Sequence, residues 1–469
     1  MRGTFVVGER KTRPGTYFNI QKSAESNQAD SINGVVAVIF RSNFGPLNKA
    51  VEISVEDGYE SLFGTDKTTD AMREAFLGGA KTIIACRVGN DDGTKGKINL
   101  AGTSGSDSVK ITAKYPGSKA FTVTVKEKIT NAAVKQCIIY DGTTEFESVE
   151  FKAGTGEAKA LVEALRNSKN FDAEIGENAG SDTITNVSQA AFSAGTDPKV
   201  TNADYANAFE QVEAYEFNTI CVDTEDNGVH MLLQAFVNRV FDAGLLLQAV
   251  VAERYYVDFD TKKEHAASFN DEKMNYILNA HLSEQGTEID GYQTAARIAG
   301  MIAAVPANKS LTHTVLNGIT EIKDKLTNTQ IKGAEESGCI VLSYNSDKQV
   351  WIDNAINTLV TPADNQDNGW KKIRRVKARF ELIKRMNLIC DNLVGLIDND
   401  KNGRATVISQ LNEVGQLMVS EGKLISCEVR EDENYNADGD SAWFNIDVVD
   451  KDSLEHIYLT YTFRFSTNV

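Results

Sequence analysis

The acidic residues Asp223, Glu225 and Asp226 are the group in this sequence whose types and spacing most directly suggest chemistry. They follow the apolar run at residues 217–222, which predicts a buried strand. Enzymes with a parallel sheet often bind ligands beyond the carboxyl ends of strands, so these carboxylates would mark a ligand-binding or catalytic edge. The alternative is a solvated loop leading into a helix, whose N-terminal end favours negative charge. We favour that structural interpretation and predict no catalytic residues.

Histidines, cysteines and one acidic loop are the other groups that could do chemistry. The five histidines lack the short spacing of a metal site: His230, His265, His281, His313 and His456. Residues 398–403 match the first half of a calcium loop, but Ser409 stands where the bidentate glutamate belongs. We favour an Asn- and Gly-rich connection between two helices. The six cysteines form no Cys-x-x-Cys pair. We therefore predict buried free thiols, no metal site and no cofactor.

The densest run of charge lies at residues 371–385, with eight basic residues against the single acid Glu381. The chain as a whole has a net charge of −17. Helical spacing predicts an apolar stripe of Ile373, Val376, Phe380 and Ile383. The basic residues predicted to point away from it include Lys371, Arg374, Arg375 and Arg385. Such a helix is either a solvated face or a surface that docks on an acidic partner, and we favour docking.

The elements that must position these groups fall into five ranges. A chain of 469 residues exceeds the roughly 250–300 residues of a single core. The pattern predicts an N-terminal arm (1–24), a first core part (25–92), an inserted mainly β domain (93–198), a second core part (199–360) and a C-terminal α+β domain (361–469). In the core, continuous apolar strands alternate with helices. This predicts a mostly parallel α/β sheet that is covered on both faces.

Both ends of the chain carry strand patterns. Residues 4–7 form a short apolar run, and residues 456–465 alternate cleanly between two faces. One face of the C-terminal segment holds Ile457, Leu459, Tyr461, Phe463 and Phe465. Terminal strands either pair within their own chain or add to the sheet edge of a neighbour. The residues alone leave these two alternatives open.

The stretch at residues 292–318 begins as a helix with small residues at 295, 299 and 303 and at 296, 300 and 304. Another backbone can approach these two stripes closely. Pro306 ends the helix, and a polar segment at 308–314 follows. The stretch resembles the signature of contractile tail sheath proteins of phages and phage-tail-like bacteriocins. Weaker blocks agree with that family in order, at residues 13–18, 33–47, 62–64, 78–88, 195–198 and 355–359.

The resemblance implies a structural subunit and not an enzyme. Sheath subunits polymerise helically around a tail tube and contract to drive the tube through a target envelope. The implied partners are further copies of the chain, the tail tube protein, and baseplate and tail-terminator proteins. The acidic net charge argues against nucleic acid and acidic membranes. The rival hypothesis is a soluble α/β enzyme or ligand-binding protein that uses the strand ends near Asp223.

The resemblance also implies two kinds of contact site. The basic helix would dock on the tube through Lys371, Arg374, Arg375, Lys377, Arg379 and Arg385. The terminal strands would be exchanged with neighbours through Thr4, Phe5, Val6, Val7, Tyr458, Thr460, Tyr461, Thr462, Phe463 and Arg464. The sequence offers neither a signal peptide nor a membrane span. We therefore expect assembly in the bacterial cytoplasm, followed by release within a virion or tailocin particle.

Overall fold

The computed structural model describes residues 2–4, 16–18, 33–54, 58–176, 179, 183–323 and 325–464. Near the N-terminus, strands β1 (Arg2–Thr4) and β2 (Thr16–Phe18) pair in parallel. The predicted strand at residues 4–7 is described only in part. Thr4 ends β1, whereas Phe5, Val6 and Val7 lie outside the described residues.

The first part of the α/β core precedes a separate β unit. It contributes β3 (Val35–Phe40), β4 (Ala50–Ser54), α1 (Glu60–Phe63), α2 (Asp70–Leu77) and β5 (Thr82–Arg87). β3 and β5 consist almost wholly of buried apolar residues. Strands with this composition need cover on both faces, which agrees with a central position in a sheet.

Residues 97–191 form a mainly β unit with its own core. Its elements are β6 (Lys97–Ala101), β7 (Asp107–Ala113), β8 (Phe121–Lys128), β9 (Asn131–Asp141), β10 (Thr144–Lys152), α3 (Glu157–Leu165), β11 (Phe171–Ile175) and β12 (Val187–Ala191). They make two sheets, of order β10-β9-β8-β12 and β11-β7-β6. An inserted β unit is thus present, and its bounds at 93 and 198 stay predictions.

The second part of the core supplies most of the remaining elements. Its helices are α4 (Asn202–Val212), α5 (Asn227–Asp242), α6 (Phe259–Phe269), α7 (Gly291–Ala304) and α8 (Asn328–Glu336). Its strands are β13 (Thr219–Val222), β14 (Gln248–Ala252), β15 (Met274–Ile277), β16 (His281–Ser283), β17 (Glu288–Ile289), β18 (Ile319–Ile322), β19 (Cys339–Ile340), β20 (Leu342–Tyr344) and β21 (Val350–Ile352).

A seven-stranded sheet of order β19-β15-β14-β13-β3-β5-β4 unites the two core parts. Every neighbouring pair is parallel except β4 with β5, so the sheet is mostly parallel, as the sequence predicts. From β3, the chain adds β5 on one side and later β13 on the other. The strand order therefore reverses between β3 and β13, where parallel sheets open a crevice at their carboxyl ends.

Helix α7 packs against α2 on one face of this sheet. A Cβ atom on Gly300 would lie 2.1 Å from the carbonyl oxygen of Ala75, so only glycine fits there. Beside this contact, Arg297 and Glu74 form a buried ion pair at 3.2 Å. The small-residue stripes of the sequence thus serve the close backbone approach that they predict.

The last described elements are α9 (Ile373–Leu393), α10 (Lys401–Ser420), β22 (Leu424–Glu431) and β23 (Phe444–Asp450). β22 and β23 form an antiparallel hairpin that packs on α10. From residue 451 to 464 the described chain has no regular secondary structure. Residues 456–464 thus form no strand within their own chain, and a strand formed with a neighbour stays a prediction. A strand needs hydrogen bonds from a neighbour, and no strand of the described residues pairs with this segment.

Candidate functional site

Asp223 directly follows β13, at the point where the strand order reverses, and its side chain is 0% exposed. One carboxylate oxygen accepts hydrogen bonds from the backbone N–H of Arg41 (2.5 Å) and from its Nε (3.0 Å). The other accepts from the hydroxyl of Tyr205 at 2.5 Å. Asp223 therefore joins β3, β13 and α4, and its oxygens are committed to the fold.

The strand-end cleft around it has a volume of about 360 Å³, and its cations lie against carboxylates. Lys67 contacts Asp290 at 2.6 Å, and Arg254 contacts Glu225 at 3.5 Å. Glu225 also accepts a hydrogen bond from the N–H of Gly291 at 2.7 Å, at the start of α7. Burial raises the pKa of Glu225. The charges of the cleft thus compensate one another.

Asp226 and His281, two further groups with possible chemistry, are also used structurally. Asp226 caps α5 by accepting from the N–H groups of Gly228 (2.7 Å) and Val229 (3.3 Å), as the structural interpretation predicts. Burial lowers the pKa of His281 to about 3, and its ring bonds the hydroxyl of Thr294 at 3.1 Å. Among the described residues, no three His, Cys, Asp or Glu side chains converge on a metal position.

The calcium-like segment at residues 398–403 begins α10. Asp400 accepts a hydrogen bond from the N–H of Gly403 at 2.7 Å, which is a helix cap. The amide of Asn399 donates to the carbonyls of Gly439 and Ser441, both at 3.0 Å. The segment therefore ties α10 to the turn that precedes β23.

Lys377 lies on the side of α9 that faces the protein interior, and not on a ridge that faces solvent. Its ammonium donates to the carbonyls of Ile302, Ala303 and Val305, where α7 ends. A cation at this position satisfies carbonyls that have no partner within the helix and opposes the negative end of the helix dipole. Burial lowers the pKa of Lys377 to about 7. The predicted tube-docking role of Lys377 conflicts with this position.

Three arginines of α9 face residues 450–455, which we call the arm base. Arg375 and Arg379 contact the carboxylate of Asp450 at 2.6 and 2.9 Å. Arg374 donates to the hydroxyl of Ser453 at 2.6 Å. The sequence predicts that Arg374 and Arg375 point away from the apolar stripe and form part of an open positive ridge; in the structure the arm base covers both. A helical stripe shows which side is apolar but not what packs on the other sides.

The last two predicted docking residues lie at either end of this region. Arg385 contacts Glu381 at 2.6 Å and Glu421 at 3.1 Å, so it joins α9 to the end of α10. Lys371 is half-buried in the short 3-10 helix before α9. Ile383, predicted to pack on its own domain, is 41% exposed and lines the groove described below.

Glu455 ends the arm base in a polar cradle formed by Ser310, Thr312 and Lys372. The hydroxyls of Ser310 and Thr312 lie 2.9 and 3.2 Å from one carboxylate oxygen, and Lys372 contacts the other. The Glu455 side chain is only 9% exposed. Sequence reasoning missed this contact. Its only signal was the polar segment at 308–314, which no element of the core explains.

Residues 456–464, which we call the arm, are exposed from the cradle onward. Ile457, Leu459, Tyr461 and Phe463, the face predicted from alternation, are 69–83% exposed, and Tyr458 is 91% exposed. Soluble chains rarely leave so many large apolar side chains together in water, so such a segment marks a contact surface.

A groove of about 440 Å³ runs between α9 and β23. Its apolar lining includes Leu382, Ile383, Met386, Ile446 and Val448. At one end stands Arg379, whose guanidinium lies 4.0 Å from the ring centre of Trp370. Within the described chain, β22 is the only strand that pairs with β23, so the other edge of β23 has no partner strand there.

Comparison with known proteins relates this architecture to a protein family. Residues 198–358 match the family model of the phage tail sheath protein central domain. The predicted resemblance to tail sheath proteins is confirmed. The chain is also 26% identical over 396 residues to the uncharacterized protein YqbK of Bacillus subtilis (strain 168), which covers 80% of this chain and 79% of YqbK.

Two solved sheath structures share the fold. The sheath tail protein from Desulfitobacterium hafniense superposes with a TM-score of 0.71 and 20% identity, over 93% of this chain and all of that protein. The helical sheath of the anti-feeding prophage in its contracted state gives a TM-score of 0.56 and 12% identity, over 97% and 99% of the two chains. The mixed α/β, multidomain fold is thus similar to sheath structures over nearly its whole length.

The sheath central domain covers the second core part, including α7 and the Ser310 and Thr312 cradle. The arm, the arm base and the groove lie beyond the matched residues. Among the helices of the described chain, none is both long and apolar enough to cross a bilayer.

Proposed function

We propose that this chain is the structural subunit of a contractile tail sheath. It polymerises helically around a tail tube and contracts to drive the tube through a target cell envelope. The observation that carries the proposal is an exposed, alternating arm on a chain with a sheath central domain. Free energy is stored in the assembly, as a lattice of rigid domains joined by arms that has two stable arrangements.

The subunits are joined by exchange of terminal strands. The arm adds to the free edge of β23 in a neighbour, through Tyr458, Thr460, Tyr461, Thr462, Phe463 and Arg464. The support is the match in chemistry between donor and acceptor. The arm presents alternating apolar side chains, and the groove beside β23 offers an apolar floor with unused backbone groups at its edge. Thr4, Phe5, Val6 and Val7 are proposed to join a neighbouring sheet in the same manner.

The tail tube is the proposed second partner, and α9 its proposed contact. The contacts of α9 limit how this can happen. Arg374, Arg375 and Arg379 already face the arm base, so an acidic tube surface reaches them only if residues 450–455 move. Lys371 needs no such movement. We expect Lys371→Glu to reduce co-sedimentation with the tube while self-assembly persists. If this variant co-sedimented with the tube as well as the wild type does, Lys371 would not be part of the tube contact.

Baseplate and tail-terminator proteins are the proposed partners at the two ends of the sheath. The support is the family itself, in which a sheath begins and stops at other components. Assembly in the bacterial cytoplasm and release within a virion or tailocin particle follow from the same proposal.

Electron microscopy of the purified chain, alone and co-expressed with its tube protein, tests the proposal directly. We expect hollow helical tubes, wider when the chain is alone and narrower around a core. Small closed particles under both conditions would instead favour an α/β enzyme or binding protein.

A single substitution tests the acceptor groove. Ile446→Glu places a charge on the groove wall beside β23, so we expect folded monomers that form no tubes. Ile129→Glu is the matched control, because Ile129 is 98% exposed at the β8–β9 turn, away from the groove. Tubes from Ile446→Glu at the wild-type yield would rule out this groove as the acceptor.

A further inference from the structure

The arm base is more firmly held than a loop leading to an exposed arm requires. Two of its three acids, Asp450 at the end of β23 and Glu455, each have a side chain that is 9% exposed, although residues 451–455 have no regular secondary structure. Removing a carboxylate from water is costly unless charge and hydrogen bonds compensate it. Arg375 and Arg379 supply this for Asp450, and the cradle supplies it for Glu455.

The cradle itself is rigidly placed. The hydroxyl of Thr312 also accepts a hydrogen bond from the N–H of Ala355 at 3.0 Å, and Ser310 bonds Thr312 at 3.1 Å. Leu311, between them, is buried in the core. Two hydroxyls are thus fixed at one point of the core surface, with Lys372 contacting the same carboxylate from the segment that leads into α9.

The change from held to exposed chain falls directly after Glu455. Within the arm base, held side chains alternate with exposed ones: the Glu455 side chain is 9% exposed, whereas Leu454 beside it is 81% exposed. Every residue from 456 to 464 is exposed, so Glu455 is the last described side chain that the core holds.

From this geometry we propose that Glu455 in its cradle is the fixed pivot of the C-terminal arm. It makes the arm base part of the rigid subunit and sets the point at which exchangeable chain begins. The use of the arm in exchange rests on the proposed function, whereas the anchoring does not. Arg464, the last proposed donor residue, lies nine residues beyond Glu455. At about 3.3 Å per residue, its contact in a neighbour must lie within about 30 Å of Glu455.

Limited trypsin digestion of the full-length chain, diluted to monomers, tests the pivot without any need for assembly. Trypsin cuts after Lys451 in the arm base and after Arg464 in the arm, and mass spectrometry follows both rates. In the wild type we expect rapid cleavage at Arg464 and slow cleavage at Lys451. Glu455→Gln should accelerate Lys451 cleavage about tenfold or more, because a charged contact is lost, and leave Arg464 unchanged.

One control variant and two further ways to weaken the contact keep the result decisive. Glu433→Gln removes an exposed acid from the β22–β23 connection and should leave both rates unchanged. Lys372→Met should match Glu455→Gln, and so should 1 M salt on the wild type, relative to the Arg464 rate. Equal Lys451 and Arg464 rates in the wild type, or no acceleration in either variant, would overturn the pivot. Absence of tubes from an otherwise anchored chain would count against the proposed function alone.

Discussion

The strand-end cleft and the C-terminal arm make opposite use of their side chains. In the cleft, Arg41, Lys67 and Arg254 form ion pairs with Asp223, Asp290 and Glu225, and these pairs connect parts of the fold. In the arm, Ile457, Leu459, Tyr461 and Phe463 remain in water. The cleft has the position of an enzyme site, but the arm has the unused binding capacity. Position within a fold is therefore weaker support for function than interactions that the fold leaves unmade.

We expect the largest effect from substitutions on the apolar face of the arm. Replacing Ile457, Leu459 and Tyr461 by serine should abolish tubes in electron microscopy, because the apolar face that enters a neighbour is lost. The thermal midpoint of the monomer should stay at the wild-type value, since these side chains contact water. Ile129→Ser, at an exposed apolar side chain of the β8–β9 turn, is the matched control and should leave the tubes intact. Tubes from the triple variant would show that the arm is not the donor.

The next largest effect is expected from a substitution in the strand-end cleft, and it tests whether Asp223 stabilises the fold. Asp223→Ala removes a fully buried carboxylate that accepts from Arg41 and Tyr205, so we expect a loss of about 2–4 kcal/mol in the free energy of unfolding. Urea titration measures it. Glu213→Gln, in the exposed pair with Arg239, should change stability by no more than about 0.5 kcal/mol. Loss of tubes from Asp223→Ala under conditions where it remains folded would contradict a purely structural role.

A smaller effect concerns pH, through half-buried Glu335 and buried Lys377, which neither region uses. Burial, reinforced by Asp353, raises the pKa of Glu335 to about 7 from its ordinary 4.5. The folded chain then binds more protons than the unfolded chain between pH 4.5 and 7, so this group lowers stability as pH rises through that window.

Lys377 acts in the opposite sense. Its pKa of about 7 lies below the ordinary 10.5, so the unfolded chain binds more protons between pH 7 and 10.5, and stability rises with pH there. Urea titrations across pH should show Glu335→Gln flattening the acid limb and Lys377→Met flattening the alkaline limb. Slopes identical to those of the wild type in both variants would refute these assignments.

The smallest expected effect is that of calcium. Asp400 and Asn399 already cap α10 and hold the turn before β23, so millimolar calcium should leave the thermal midpoint unchanged. A rise in the midpoint that Asp400→Asn removes would establish a calcium site at residues 398–403.

Much of the fold could be predicted from the sequence because its signals are local. The apolar runs of β3, β13 and β14 predict a parallel sheet, and the small residues of α7 predict its contact with α2. The alternation in the arm predicts the apolar face that the structure leaves exposed. The sequence also shows the polar segment at 308–314, but it does not show that Ser310 and Thr312 bind Glu455.

Charges were predicted less well, because their partners are distant in sequence. Lys372 meets Glu455 across 83 residues, and Arg375 meets Asp450 across 75. A charge run therefore shows that cations are present but not whether they face solvent, a partner or their own chain.

The sequence by itself determined the sheet, the α7 packing stripe, the alternating arm and the sheath resemblance, since each depends on residue order over short distances. Only the tertiary structure decided that the Asp223 carboxylate is bonded to Arg41 and Tyr205, that α9 holds the arm base and that Glu455 marks where exposed chain begins. Those outcomes depend on which surfaces pack together, because burial removes the water that would otherwise compete for each charge.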